Sequence, residues 1–465
     1  MPLEWREHAA AVVVALQLKD GERERLGAYF TPPRLAAQVL RRLMTYGYKP
    51  DRHRIIDPAA GGAAFLAPLY GLIADASDGG FTRTSKGLEL LDGIEIDRRL
   101  ANVSTDLLAW RLAALRGTEK PNKADFATAR RRVVVADTLK IAPRADYDVV
   151  VGNPPYARIG KDRYEEFVER WPSLTDKGGY LNLSMAFVCH CLAFLKPGGL
   201  LSFVMPAGFI GGPSFRAFRK SIASDVVAID RLEKREGVFL DVIQDCVILT
   251  MKRRCSQRHS VPVSNLAGDG SETHLGRLRL PISGGPWQLP NGRTIATGKS
   301  LSDLGWKGKV GAVVPHRWKE RVFSERRTGS VPLVWAAAIR PDGRVDYDHM
   351  RKRVSGCRAL VDPEVSYIVR RPCVLVQRTS NRKQMRRINA AVVDRRVLDA
   401  IGPFVTENHV IVLTPPLRCS SMQNLRNMTR VLNSSETTAI YDRIGGTANV
   451  SLKILLSMKL PIVEE

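Results

Sequence analysis

Asp148-Val149-Val150-Val151-Gly152-Asn153-Pro154-Pro155-Tyr156 is an apolar, β-branched run that ends on one amide side chain and two rigid prolines. Three consecutive valines predict a strand buried on both faces, so Asn153 is expected to stand at its top. From there the Asn153 carboxamide oxygen and the Pro154 backbone carbonyl can both accept from one planar amino group. Drawing both hydrogens into those acceptors favours a pyramidal nitrogen and frees its lone pair for attack. Tyr156 is placed to stack on the ring that bears the amine.

On either side, short β-branched runs alternate with longer helical patterns. His53–Asp57, Gly93–Asp97, Arg132–Asp137, Leu200–Met205, Val226–Asp230 and Asp241–Met251 read as further strands; Ala63–Ala74, Arg98–Leu115, Leu181–Leu195 and Ser214–Ser224 read as helices. Such alternation predicts an α/β fold, a parallel sheet with helices on both faces, which binds ligands at the carboxyl ends of its strands. Asp57, Glu95, Asp137 and Asn153 fall at those ends. In Asp57-Pro58-Ala59-Ala60-Gly61-Gly62-Ala63-Ala64-Phe65-Leu66 the small residues allow a tight turn, and the helix that follows offers free N–H groups. Glu95 can accept both hydroxyls of a ribose, and Asp137 can accept from a purine amino group. A strand-end acid is also an ordinary helix cap; it is the set of three that outlines a nucleoside slot.

The 465 residues carry 71 Lys and Arg against 47 Asp and Glu, a formal charge of +24. The first 255 residues hold 38 basic and 30 acidic side chains, and residues 256–465 hold 33 and 17, so the shorter part carries most of the excess. This points to a polyanionic partner bound there. The seven cysteines form no CxxC pair and read as reduced, buried cytosolic thiols. The eight histidines show no HxxxH or HxE spacing, so no metal site is expected. The early apolar run Ala9–Leu16 is too short to cross a bilayer and lacks a cleavage site, so neither export nor a membrane anchor is expected.

Asp57–Leu66 resembles the pattern D-P-A-C-G-S-G-x-F-L, and Asn153–Tyr156 is identical to N-P-P-Y; Gly27-Ala28-Tyr29-Phe30-Thr31-Pro32-Pro33 lies upstream of both. In this order the motifs resemble the TaqI-like gamma class of N6-adenine DNA methyltransferases. The resemblance implies a class I, Rossmann-like seven-strand sheet with an antiparallel last strand, then a mixed α+β target recognition domain. It implies S-adenosylmethionine as cofactor and double-stranded DNA as partner, bound by a cytoplasmic monomer, and leaves open a cognate restriction enzyme. It implies cofactor contacts from Thr31, Asp57, Ala59, Gly61, Glu95, Ile96, Asp137, Thr138 and Pro155. Asn153, Pro154 and Tyr156 match the target-base pocket, and Phe239 aligns with a second aromatic against the extruded base. Ala60, Gly62 and Ala63 stand where Cys, Ser and Gly are usual, so Ala63 must adopt whatever backbone angle glycine supplied.

The expected organisation is a catalytic domain over residues 1–255, a linker over 256–275 and a recognition domain over 276–465. In the last, 309–317, 377–380, 407–410 and 443–462 are similar to scattered family landmarks. Arg317, Arg378, Arg382, Lys383, Arg386 and Arg387 are the expected DNA contacts, on phosphate or on guanine. No nuclease core of an Asp followed at variable distance by Glu-x-Lys is visible in either half, so modification without cleavage is expected. A Pro-Cys nucleophile of the cytosine-C5 class is absent, and cytosine-N4 enzymes usually carry Ser where Asn153 stands. The rival readings are an RNA or protein-glutamine methyltransferase using the same N-P-P-Y chemistry, and a non-catalytic DNA-binding subunit.

Overall fold

A computed structural model describes residues 31–76, 87–174, 181–232, 246–254, 260–267, 271–290, 297–361, 367–379, 386–417, 420–444 and 450–461. The chain divides into two compact units, residues 1–209 with 214–292, and 210–213 with 293–465. The first unit is built on nine strands: β1 (Ile55–Asp57), β2 (Leu91–Glu95), β3 (Val133–Val135), β4 (Tyr147–Gly152), β5 (Leu195–Pro206), β6 (Val226–Leu232), β7 (Cys246–Lys252), β8 (Ser260–Leu266) and β9 (Glu272–Arg279). They are ordered β3-β2-β1-β4-β5-β7-β6-β8-β9. The first five are mutually parallel neighbours, and β7 lies antiparallel between β5 and β6, as the resemblance implied.

Helices α1 (Pro33–Thr45), α2 (Leu66–Ala76), α3 (Arg98–Leu115), α4 (Lys123–Arg132), α5 (Lys161–Arg170), α6 (Leu183–Leu192) and α7 (Arg216–Ile222) accompany the sheet. Leu35, Val39, Leu40 and Leu43 of α1 enter one core with Phe65, Leu69, Val149 and Val151. Two prolines mask α1 in the sequence, yet Pro33 occupies the first helical turn, where its missing N–H costs nothing. The helix expected from Ala63 begins at Leu66, because Gly61 (φ 53°) and Ala63 (φ 62°) hold the preceding turn in left-handed angles. Ala63 thus takes the glycine-like conformation its position demands. Cys191 and Cys246 of this unit are buried and in no disulfide. No described helix is long and apolar enough to cross a membrane.

The expected linker at 256–275 is a correction. Most of it forms β8 and the start of β9, with β8 parallel to β6 and antiparallel to β9. The polar composition that suggests a linker belongs instead to a charged hairpin held by an ionic cluster. Arg42 of α1 donates to both carboxylate oxygens of Asp230 on β6 at 3.1 and 2.8 Å, and to Glu272 on β9 at 3.0 Å. Ser264 on β8 donates to Glu272 at 2.7 Å. The first unit therefore extends to about residue 292 rather than 255.

The second unit is mixed α+β. One sheet has the order β11-β18-β15-β16 (Lys307–Val310, Val410–Thr414, Cys373–Gln377, Ala390–Val393) and a second the order β12-β14-β13-β17 (Val322–Phe323, Arg358–Leu360, Ser330–Val334, Val405–Thr406). β10 (Thr297–Ser300) pairs with β19 (Lys459–Pro461). Helices α8 (Tyr347–Arg351), α9 (Arg395–Ile401), α10 (Met422–Leu432), α11 (Ser435–Ile444) and α12 (Leu452–Ser457) complete the unit.

Asp230 is fully buried, and burial pushes its carboxyl up to about 6 despite Arg42. The folded chain therefore holds this proton more tightly than the unfolded chain, so its contribution to stability falls as pH rises from about 4 to about 6. Arg42→Leu strands the carboxylate, and urea unfolding at about pH 7.5 should report a loss of about 3 kcal/mol or more. At about pH 4.5, where Asp230 is protonated, the loss should shrink. An equal loss at both pH values would contradict the ionic account.

Candidate active site

Parallel register decides where the polar residues meet. Ile55 and Ile56 pair with Leu91 and Asp92 on one side and with Val149 and Val150 on the other, so Asp57, Glu95 and Asn153 all leave the sheet at the same edge. Gly152 makes this packing possible: a Cβ there would lie 2.7 Å from Asp57 Oδ1. At that edge Thr31, Asp57, Ala59, Gly61, Glu95, Ile96, Asp137, Thr138, Asn153 and Pro155 line one cavity of about 450 Å³, a volume suited to a nucleoside-sized ligand. Ten of the expected contacts are thus gathered in one place. Pro154 and Tyr156, both buried, are not on its wall. Phe239 lies outside the described residues.

Hydrogen bonds make the cavity floor rigid. Glu95, 7% exposed, accepts from the Gly61 amide at 2.8 Å with one oxygen and from the Asp97 amide at 2.9 Å with the other. Its expected ribose contact must therefore use the remaining lone pairs of a carboxylate that also anchors the glycine turn. Burial raises its pKa, against the lowering effect of those amides. Ser104 of α3 donates to Gly61 O at 2.8 Å, and Thr138 donates to Pro58 O at 2.5 Å. Asp137 caps its own short turn through the Leu139 amide at 3.1 Å, the ordinary role of a strand-end acid, while still lining the cavity. Ile96 is 55% exposed, an apolar side chain presented on the wall.

Tyr156 departs from expectation. Its ring packs in the hydrophobic core, and its hydroxyl lies 2.5 Å from Asn153 Oδ1 and 3.0 Å from the Val204 carbonyl. A phenol has one proton, so the two acceptors share one donor. In this conformation Tyr156 orients the Asn153 amide rather than presenting a stacking face. The sequence reading also missed Arg163 of α5 and Leu183 and Phe187 of α6, which line the same cavity. α5 is a densely charged segment whose few apolar residues, Tyr164, Phe167 and Val168, mark an ordinary amphipathic helix, and α6 reads as plain core.

In the second unit the family landmarks converge. The Arg378 amide donates to His409 O at 2.7 Å, its guanidinium donates to Asn408 O at 3.0 Å, and the Gly311 amide donates to Val410 O at 2.8 Å. Buried Glu407 accepts from the Ala336 amide at 3.1 Å and the His409 amide at 2.9 Å. These contacts give the landmarks a scaffolding role. Arg386 donates to the Asn433 and Pro341 carbonyls, and Arg387 is paired with Asp442 at 2.9 Å. Arg378, Arg386 and Arg387 are therefore engaged inside the unit, whereas Arg317 is exposed. Arg382 and Lys383 lie outside the described residues.

Residues 97–239 match the Eco57I restriction-modification methylase family. The chain is 24% identical to the Type II methyltransferase M.BsuBI of Bacillus subtilis over 466 residues, 94% of this chain and 88% of that protein. It is 26% identical to the Type II methyltransferase M.PstI of Providencia stuartii over 346 residues, 69% of this chain and 66% of that one. Among solved structures, the Type IIL restriction-modification enzyme MmeI in complex with DNA matches with a TM-score of 0.60 at 13% identity, over 94% of this chain and 68% of that one. A DrdV–DNA complex matches at 0.58 and 14%, over 88% of this chain and 51% of that one, so the chain spans about half the length of DrdV. The fold is that of the class I methyltransferases, and the match to a methylase family implies S-adenosylmethionine as the cofactor.

The cavity fits this cofactor on one independent observation. Asp57 is 1% exposed, with Oδ1 on the Ala59 amide at 3.0 Å and Oδ2 buried without a hydrogen-bond partner. A buried carboxylate oxygen left unpaired is costly, and a ligand ammonium would satisfy it. Burial, with Glu95 nearby, pushes Asp57 up to about 8. Asp57→Asn should weaken cofactor binding roughly tenfold or more, as loss of a charged acceptor does. Wild-type affinity should rise between about pH 6 and 7.5, below titration of the cofactor's own amino group, as Asp57 yields its proton, and the variant should be flat. Calorimetry that finds the same pH profile in both would place the ammonium elsewhere.

Proposed function

We propose that the chain is a site-specific DNA adenine methyltransferase, acting on the exocyclic N6 amine of an adenine displaced from duplex DNA. The observation that carries the reading is Asn153, standing at the end of β4 on the wall of the cavity whose other strand ends are Asp57 and Glu95. The Type II methyltransferase relatives and the DNA complexes of the structural neighbours support the same substrate class.

When bound, the cofactor supplies an electrophilic methyl group on a sulfonium. An amine inside a stacked duplex is out of reach, so the target base must be turned out into the pocket. The Asn153 oxygen, on the cavity wall, then accepts one amino hydrogen. The Pro154 carbonyl, next to it in the chain and reached only once the base is seated, accepts the other, which localises the nitrogen lone pair. Tyr156, through its hydroxyl on Asn153 Oδ1, keeps the amide oxygen aimed as an acceptor. Ile96, Leu183 and Phe187 give the cavity apolar wall that excludes water from the transfer. Positioning of the amine for in-line attack, rather than a strong general base, carries most of the rate.

Asn153→Ala should lower methyl transfer by a hundredfold or more, about 3 kcal/mol, because the lost acceptor acts mainly in the transition state. Cofactor affinity should stay near wild type. Tritium transfer from S-adenosylmethionine to duplex DNA measures the first and calorimetry the second; near-normal turnover by the folded variant would refute the assignment. RNA competing equally with duplex DNA would favour the rival nucleic-acid reading.

A further inference from the structure

Of the arginines expected from sequence to meet DNA, Arg378, Arg386 and Arg387 are engaged within the second unit, yet its charge excess has to be presented somewhere. Cys373 pairs with Val393 and Val374 with Leu413, which brings the start of β15, the end of β16 and the end of β18 to one end of the sheet. The segments beyond those ends, joined by α10, enclose an open recess of about 960 Å³. Arg370, Arg371, Arg395, Arg396 and Arg426 line it, all exposed. Among the described residues, Arg371, Arg395, Arg396 and Arg426 are paired with no carboxylate. Two aspartates share the recess, and one of them, Asp394, is turned to the Val397 amide at 2.9 Å.

We infer that this recess is a docking surface for the DNA phosphate backbone, which rests on the DNA methyltransferase reading above. Several guanidiniums paired with no carboxylate among the described residues, held at the ends of adjoining strands, suit a row of phosphates better than one small anion. Leu417, 87% exposed on the same wall, adds an apolar contact that a sugar–phosphate strand can cover and a hydrated inorganic ion cannot. The recess assigns sequence-independent grip to these arginines and leaves base reading to other groups.

The test uses the full chain carrying Arg371→Ala, Arg395→Ala, Arg396→Ala and Arg426→Ala together, with duplex DNA as the probe over a salt titration. Each lost phosphate contact removes about 0.9 from the log–log salt slope, so the slope should become shallower by about 2 to 4. At about 0.1 M salt, affinity for specific and unrelated duplexes alike should fall tenfold or more. S-adenosylmethionine affinity and the thermal unfolding midpoint, unchanged, show that the variant is folded. If the wild type binds and methylates DNA and the variant keeps the same affinity and slope, the recess assignment is overturned alone, and an acidic protein becomes the better occupant. If the wild type neither binds nor methylates any duplex, the DNA reading itself fails.

Discussion

Glu95 ends β2 with one carboxylate oxygen on the Gly61 amide and the other on the Asp97 amide, at 2.8 and 2.9 Å. That pair of bonds ties the turn after β1 to the entry of α3, and the cavity floor follows from it. Gly61 is held by Glu95 on its amide side and by Ser104 on its carbonyl side, so the left-handed turn through Ala63 has little freedom to relax. The turn in turn sets Asp57, whose free oxygen is stranded inside the protein. An apolar interior would not tolerate two nearby carboxylates without recompense. Backbone amides supply part of it, and a cationic ligand is suited to supply the rest.

The motifs that locate the cavity do not fix how each side chain packs around it. Strand ends were legible because β-branched runs stop abruptly at Asp57, Glu95 and Asn153, and parallel strands place such ends together whatever their loops do. The demand on Ala63 was legible because only small residues fill that turn. The Tyr156 hydroxyl bond to Asn153 was not, since a residue that stacks and one that packs inward are the same letter. Nor was α1, where a tandem proline reads as a turn although Pro33 is tolerated in a first helical turn.

The boundary error has the same origin. Residues 256–275 are polar and aperiodic, which is the usual mark of a linker. Beyond the β6–β8 ladder, the side-chain tie on β8 and β9 comes from Arg42, 188 residues before Asp230 and 230 before Glu272. No local window contains that information. Likewise the cluster at 382–387 looks like a phosphate grip in sequence, but Arg386 and Arg387 fold back onto Asn433, Pro341 and Asp442. Four of the five exposed arginines of the recess sit instead in pairs, at 370–371 and 395–396, too short to stand out among 71 basic residues.

The most direct test of the central claim is single-molecule methylome sequencing of a host expressing the chain against one that lacks it. The account predicts N6-methyladenine at every copy of one short sequence motif, absent from the control. N4-methylcytosine at a motif would contradict the adenine assignment, and an unmodified genome from cells holding folded, cofactor-binding protein would contradict the reading as a DNA methyltransferase.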